Sequence, residues 1–206
     1  MNGLKRLQCV FLCLILLVSA LLGGCAPKDR ITYNFRLFEY TDHATAAIES
    51  IKKYKGDNEV IRVPSEYQGM PVTDILPRVY HSKINTREVI MDSVEQIWDS
   101  VFENCHHLTK VELGKVRTIG TYAFRNCWKL ETITFPDTLQ WIQYGAFMYC
   151  TALTDVYFEG SPETIGLEVF DPGVRLHGPA GSYVEEYAAK YGYEFISWEP
   201  DADAAD

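Results

Sequence analysis

From residue 75 onward the apolar positions return at a long, fixed interval. Isoleucine stands at Ile75, Ile97, Ile119, Ile142 and Ile165, at steps of 22, 22, 23 and 23 residues. Five places after each comes an aromatic: Tyr80, Phe102, Phe124, Phe147 and Phe170. Eight places after come Lys83, Cys105, Cys127, Cys150 and Gly173, and eleven after come Thr86, Leu108, Leu130 and Leu153. Val89, Val111, Ile133 and Val156 follow, then Met91, Leu113, Phe135 and Phe158 two residues beyond them. Columns of one chemistry held over three full repeats indicate a stack of similar units, each unable to bury its apolar face alone. The expected core is Ile97, Phe102, Cys105, Leu108, Ile119, Phe124, Cys127, Leu130, Ile142, Phe147, Cys150 and Leu153.

A period in the twenties with L-x-x-[VI]-x-[LF] is a leucine-rich-repeat pattern. The alternating stretches Lys110–Leu113, Thr132–Phe135 and Asp155–Phe158 predict short strands with one face inward. Each coil then gives one strand to a parallel sheet, with coils about 4.8 Å apart. The segment Gly120–Asn126, with Ala123 and Phe124 and no proline, predicts a short helical turn. The fold class expected is a β-dominated leucine-rich-repeat solenoid of about five coils, spanning residues 75–177.

The motifs IGTYAFRNC-WKLETITFP, IWDSVFENC-HHLTKVEL and IQYGAFMYC-TALTDVYF resemble the BspA-like leucine-rich repeats, a family common on bacterial surfaces. The flanks resemble its opening unit (residues 61–75) and its closing unit (residues 176–196), so the resemblance covers roughly residues 45–198. The coil from Ile75 to Met91 departs from the pattern, with Tyr80, Lys83 and Thr86 in place of Phe, Cys and Leu, as terminal repeats often do.

Residues 31–74 predict an N-terminal β cap. Thr32–Tyr40 reads as a strand. Ala46–Tyr54 fits helix or strand on pattern alone, and the resemblance favours strand. Tyr54–Asn58 reads as a turn and Val60–Val63 as a strand stopped by Pro64. Residues 178–198 predict a helix-strand cap. Ser182 and Glu185 form a capping box, Val184, Tyr187, Ala188 and Tyr191 one apolar face, and Gly192 the stop, before a strand over Tyr193–Ile196. Residues 199–206 form an acidic tail expected to be disordered.

The other terminus changes the cellular picture. Residues 1–24 have a basic start at Lys5 and Arg6, an apolar run from Val10 to Leu22 and two small glycines, which is the pattern of a secretory signal. Leu22-Gly23-Gly24-Cys25 resembles a bacterial lipobox, which implies cleavage before Cys25 and lipidation of its thiol. Residues 25–30 would then be the lipidated Cys and a short tether. An ordinary signal with a chance cysteine is the competing reading. The whole chain has a formal charge of −9. Without residues 1–24 it carries 17 basic and 28 acidic residues, a charge of −11. Such a surface does not suit nucleic acid, and contact with the membrane is expected through the lipid alone.

Three cysteines remain after processing, Cys105, Cys127 and Cys150, an odd number in an oxidising compartment. They fit better as reduced, buried, small side chains than as a disulfide framework. A metal site at Cys105-His106-His107 is the sharper rival, but these residues lack matching ligands elsewhere. No cofactor is implied. Nucleotide-binding, serine-hydrolase and zincin motifs are lacking, and no insertion interrupts the coils to build a pocket. Carboxylates are abundant, so counting does not remove a glycosidase pair.

Non-catalytic binding is the function expected. One outward strand row is Ile90, Glu112, Thr134 and Tyr157, and the row before it is Glu88, Lys110, Thr132 and Asp155. These vary from coil to coil while the core columns do not. A second candidate surface carries Trp98, Trp128, Trp141, Tyr144 and Tyr149 on turns. A protein partner at the envelope or host surface is favoured. Carbohydrate capture for a neighbouring transporter or enzyme, through the exposed rings, is the alternative. If the lipobox reading holds, Cys25→Ala releases the protein from the membrane fraction, and continued retention on fractionation contradicts it.

Overall fold

The computed structural model describes residues 32–39, 44–53 and 59–198. The signal at 1–24, Cys25, the tether, the turn at Tyr54–Asn58 and the tail at 199–206 lie outside the described residues. The N-terminal region forms β1 (Thr32–Glu39), β2 (Ala44–Lys53), β3 (Val60–Arg62), β4 (Glu66–Tyr67) and β5 (Met70–Ile75). The coils follow as pairs of strands: β6 (Glu88–Ile90) with β7 (Gln96–Ile97), β8 (Lys110–Glu112) with β9 (Thr118–Ile119), β10 (Thr132–Phe135) with β11 (Trp141–Ile142), and β12 (Asp155–Phe158) with β13 (Thr164–Ile165). The chain closes through β14 (Arg175–Pro179), α1 (Tyr183–Tyr191) and β15 (Glu194–Trp198).

Each coil therefore gives two strands, not one. The isoleucine column is itself a parallel ladder, in the order β1-β2-β5-β7-β9-β11-β13 with β1 antiparallel to β2. It gains a sixth rung, because Ile48 pairs with Ile75 in register and is fully buried. The second ladder is split. One sheet runs β3-β6-β8 and another β10-β12-β14-β15, and among the described residues β8 and β10 share no ladder, although their Cα atoms approach within 8 Å. The split falls where the coil changes length. Val89 to Ile97 and Val111 to Ile119 are arcs of eight residues, whereas Ile133 to Ile142 and Val156 to Ile165 are arcs of nine. At this step the isoleucine side keeps its ladder and the other side does not. Val111, at the split, is half-buried, while Val89, Ile133 and Val156 are buried.

The segments read as helical turns are not helical. Tyr122 (φ 57°) and Asn126 (φ 62°) are left-handed, as are Ser100 and Asn104 one coil earlier. Their alternate N–H groups point across to the next coil rather than along the chain: Tyr122 to the Tyr144 carbonyl, Phe124 to Ala146, and Asn126 to Met148. A helix would spend those donors internally. Here they become a third inter-coil ladder, at the cost of placing non-glycine residues at positive φ.

Inside, the aromatic column stacks as a continuous pile. Ring centroids are 5.1 Å apart for Tyr80–Phe102 and Phe102–Phe124, 5.0 Å for Phe124–Phe147 and 5.7 Å for Phe147–Phe170. Tyr33 closes the pile at one end, its hydroxyl accepting from that of Tyr80 at 3.0 Å, and Tyr193 closes it edge-on at the other. The cysteine column serves the backbone. The Cys105 thiol donates to the Tyr80 carbonyl at 3.3 Å, Cys127 to Phe102 at 3.4 Å and Cys150 to Phe124 at 3.2 Å. All three are free and buried. Burial pushes the Cys105 thiol up to about 12, so it stays a donor at any physiological pH.

At the C-terminal cap, Ser182 precedes α1 but its side chain makes no capping bond. Glu185 reaches back one residue further than a capping box requires and accepts from the Gly181 N–H at 2.8 Å. Val184, Tyr187 and Ala188 are buried, whereas Tyr191 is exposed; Gly192 ends the helix in the left-handed region. Phe124 sits between two rings in the middle of the pile, so Phe124→Ala should destabilise the protein by about 3–5 kcal/mol. Equilibrium denaturant unfolding measures this; an unchanged midpoint would place the cohesion outside the ring column.

Candidate functional site

The outward side of the split ladder carries the variable rows. Register places Glu88 beside Lys110 and Ile90 beside Glu112. Beyond the split it aligns Thr132 with Asp155 and Arg175, and Thr134 with Tyr157 and His177. Lys110, Glu112, Thr132, Thr134 and Tyr157 are exposed and Glu88 is half-buried. Two members of the expected rows are not available at the surface. Ile90 is 5 % exposed, flanked in register by the longer Arg62 and Glu112. Asp155 is 8 % exposed, covered by the partners it holds.

Those partners organise one end of the face. Asp155 Oδ2 accepts from Arg175 at 2.6 Å and from the Thr154 hydroxyl at 2.9 Å, while His177 Nε2 bonds Oδ1 at 2.7 Å. The Arg175 guanidinium, aided by His177 and Thr154, holds the Asp155 carboxyl far below the usual carboxylate range. The anchored imidazole in turn stacks on Tyr157, with centroids 4.3 Å apart. At the other end, Lys110 lies between the Glu112 and Glu88 carboxylates, which raise its pKa; Lys110 and Glu112 are exposed, and the triplet sets surface charge rather than stability.

Two adjoining depressions occupy this face. One of about 390 Å³ lies over the split between β8 and β10, lined by Lys110, Glu112, Thr132, Thr134 and Glu159 among others. The second, about 330 Å³, is lined by Thr134, Tyr157, Glu159, His177 and Trp198. Thr134 and Glu159 line both. The residues missed at the sequence level are Glu159, His177 and Trp198. Extending the Thr134–Tyr157 row past the last full repeat reaches His177, but Trp198 arrives through β15 after a helix, and no repeat spacing points to it. Two further depressions, of about 350 and 460 Å³, flank the isoleucine ladder and are lined mainly by polar residues such as Glu95, Lys115 and Arg117.

The outward rings on the turns form no part of either strand-face depression. Three of the five have a local partner. Trp98 Nε1 donates to Asp74 at 3.0 Å, Trp128 lies flat on His106 at 3.8 Å, and the Tyr144 hydroxyl donates to Glu168 at 2.7 Å. Trp141 and Tyr149 are exposed at separate points. Cys105 faces the core while His106 lies under Trp128, so the Cys105-His106-His107 stretch is not drawn together as a ligand set. Among the described residues, no group of three or more His, Cys, Asp and Glu side chains is placed to hold a metal ion.

The comparisons match this architecture. A sequence profile described as "BspA type Leucine rich repeat region" matches residues 73–177 in six copies. The fold is similar to a crystal structure of a leucine-rich repeat protein from T. pallidum, at 21 % identity and a TM-score of 0.55, covering 80 % of this chain and 95 % of that one. It is also similar to a leucine-rich repeat protein from Bacteroides capillosus, at 25 % identity and a TM-score of 0.54, covering 65 % of this chain and 100 % of that one. No curated protein matches the chain.

The Asp155 cluster carries a pH signature. A depressed folded pKa contributes stability that is present above the unfolded value, about 4, and is lost as pH falls through the folded value. Asp155→Asn should therefore lower the melting temperature at pH 7, with the difference from the parent shrinking only in strong acid. Thermal melts across pH check this; equal melting temperatures at pH 7 would show that the cluster contributes no stability.

Proposed function

The chain belongs to the BspA-type leucine-rich-repeat family, a repeat-based protein-interaction architecture, and we propose that it is a lipid-anchored, extracytoplasmic module that holds a protein partner on the strand face between Lys110 and Trp198. Leucine-rich-repeat proteins generally bind proteins, and the family and fold are generally non-catalytic. The BspA type is typical of bacterial surface proteins, and among the described residues no helix is long and apolar enough to cross a membrane.

The observation that carries the proposal is the continuity of the two depressions, which share Thr134 and Glu159 on one sheet face. That face is built on strands pinned by the core columns, so a partner meets backbone that is already ordered. Binding then costs the ordering of exposed side chains and little backbone entropy. Its polar end at Lys110 and Glu112 and its aromatic end at Tyr157 and Trp198 offer both charge and ring contact, the mixture favoured at protein interfaces. The lipobox-like Leu22–Cys25 supports the anchor and the location at the envelope.

Carbohydrate binding draws on a different surface, the outward ring of Trp128, whose stacking on His106 presents it flat. Affinity capture of envelope proteins by the full chain, set beside a glycan array, separates the readings. Under the proposal a protein is captured and Glu112→Lys reduces capture by about tenfold, as expected when a charge is reversed at an interface. Glycan binding that is lost in Trp128→Ala, with no effect of Glu112→Lys, would replace the proposal with the carbohydrate reading.

A further inference from the structure

The aromatic end of the strand face has a composition unlike the rest of it. Tyr157 and Trp198 are both partly exposed, and Glu159 is an exposed carboxylate with no cationic partner among the described residues. Glu159 follows β12, and Trp198 ends β15, which lies two strands away across β14. At the ordinary strand spacing their backbones are about 9–10 Å apart. Glu159 and Trp198 thus line the depression from its two outer strands, with Tyr157 and the His177 stacked on it set two residues back along β12 and β14.

We propose that this depression is a subsite for a cationic side chain of the partner protein, an arginine in particular. This rests on the strand face being the binding face. A guanidinium is planar, stacks on aromatic rings and pairs with a carboxylate through two parallel hydrogen bonds, so one group meets both walls. An ammonium is a compact, strongly hydrated charge and uses the rings less well. Arg175, two residues before His177 on β14, does not compete, because its guanidinium is committed to Asp155, and Lys110 is held by Glu88 and Glu112. The chain's charge of −9 favours a basic partner. A sugar fits the chemistry less well. A neutral sugar leaves the Glu159 charge unmatched, and both Asp155 oxygens and the His177 Nε2 are already bonded, so the polar groups left to it are Glu159, the Thr134 and Tyr157 hydroxyls and the Trp198 indole N–H.

The test uses the full chain in detergent and a capped pentapeptide with a central arginine between alanines, together with its citrulline, lysine and alanine counterparts. Citrulline keeps the shape of arginine and removes the charge. The four tryptophan indole N–H resonances are followed by NMR, with that of Trp198 assigned through Trp198→Phe. The arginine peptide should shift the Trp198 resonance saturably, with weaker binding by lysine and none by citrulline or alanine. Glu159→Gln should weaken the arginine peptide by about tenfold and flatten its salt dependence. Thermal melts of the variants establish that they are folded. No saturable shift at millimolar arginine peptide, or an equal response to citrulline, overturns the subsite. So does a saturable response of Trp198 to chitotriose in place of the peptide. Partner capture that survives Glu159→Gln and Trp198→Phe but falls with Glu112→Lys would overturn the arginine subsite while leaving the binding face intact.

Discussion

Stacking of one coil on the next is the interaction on which everything else depends. Each coil is about as thick as an aromatic ring stack, and the pile from Tyr80 to Phe170 keeps centroid spacings of 5.0–5.7 Å. That lies close to the strand repeat of about 4.8 Å. Rings and backbone therefore share one pitch, and neither must strain to satisfy the other. The thiols of Cys105, Cys127 and Cys150 add a bond from each coil to the ring-bearing carbonyl of the coil before it. The two ends are sealed by tyrosines, which present a ring to the pile and a hydroxyl to a polar partner: Tyr33 to Tyr80, and Tyr193 to the Phe170 carbonyl.

The columns were readable from the chain because every coil makes the same demand on them. Ile119, Phe124 and Leu130 meet their own kind above and below, so size and polarity cannot drift. The backbone of the turns was not readable. Its left-handed positions are held by Ser100, Tyr122 and Glu168 as well as by Gly145, and residues with side chains do not announce positive φ. The isoleucine strands of the repeats, β7, β9, β11 and β13, are each two residues long, with no room for alternation to show. Ile48, the sixth rung, stands 27 residues before Ile75, outside the repeat interval.

The face was legible in part, for a related reason. Outward position follows from alternation, but exposure depends on what the neighbouring coils place alongside. Lys110, Glu112, Thr132, Thr134 and Tyr157 are both outward and exposed. Asp155 is outward in sequence yet buried, because Arg175 and His177 converge on it from the next strand. That convergence fixes His177 beneath Tyr157 and prepares the aromatic end of the face. Trp198 completes it from the closing unit, so the cap that protects the last coil also contributes to the surface it protects.

Where the arcs pass from eight to nine residues, the stack is laced on one side and unlaced on the other. The isoleucine ladder crosses that level without interruption, while β8 and β10 share no ladder among the described residues. Flexing that widens the β8–β10 side breaks no strand pairing, whereas flexing the opposite way would tear the continuous ladder. The stack thus has a spine and a fore-edge, like a book, and the level that no strand pairing crosses on the fore-edge is the one where Lys110 and Glu112 look across at Thr132 and Thr134.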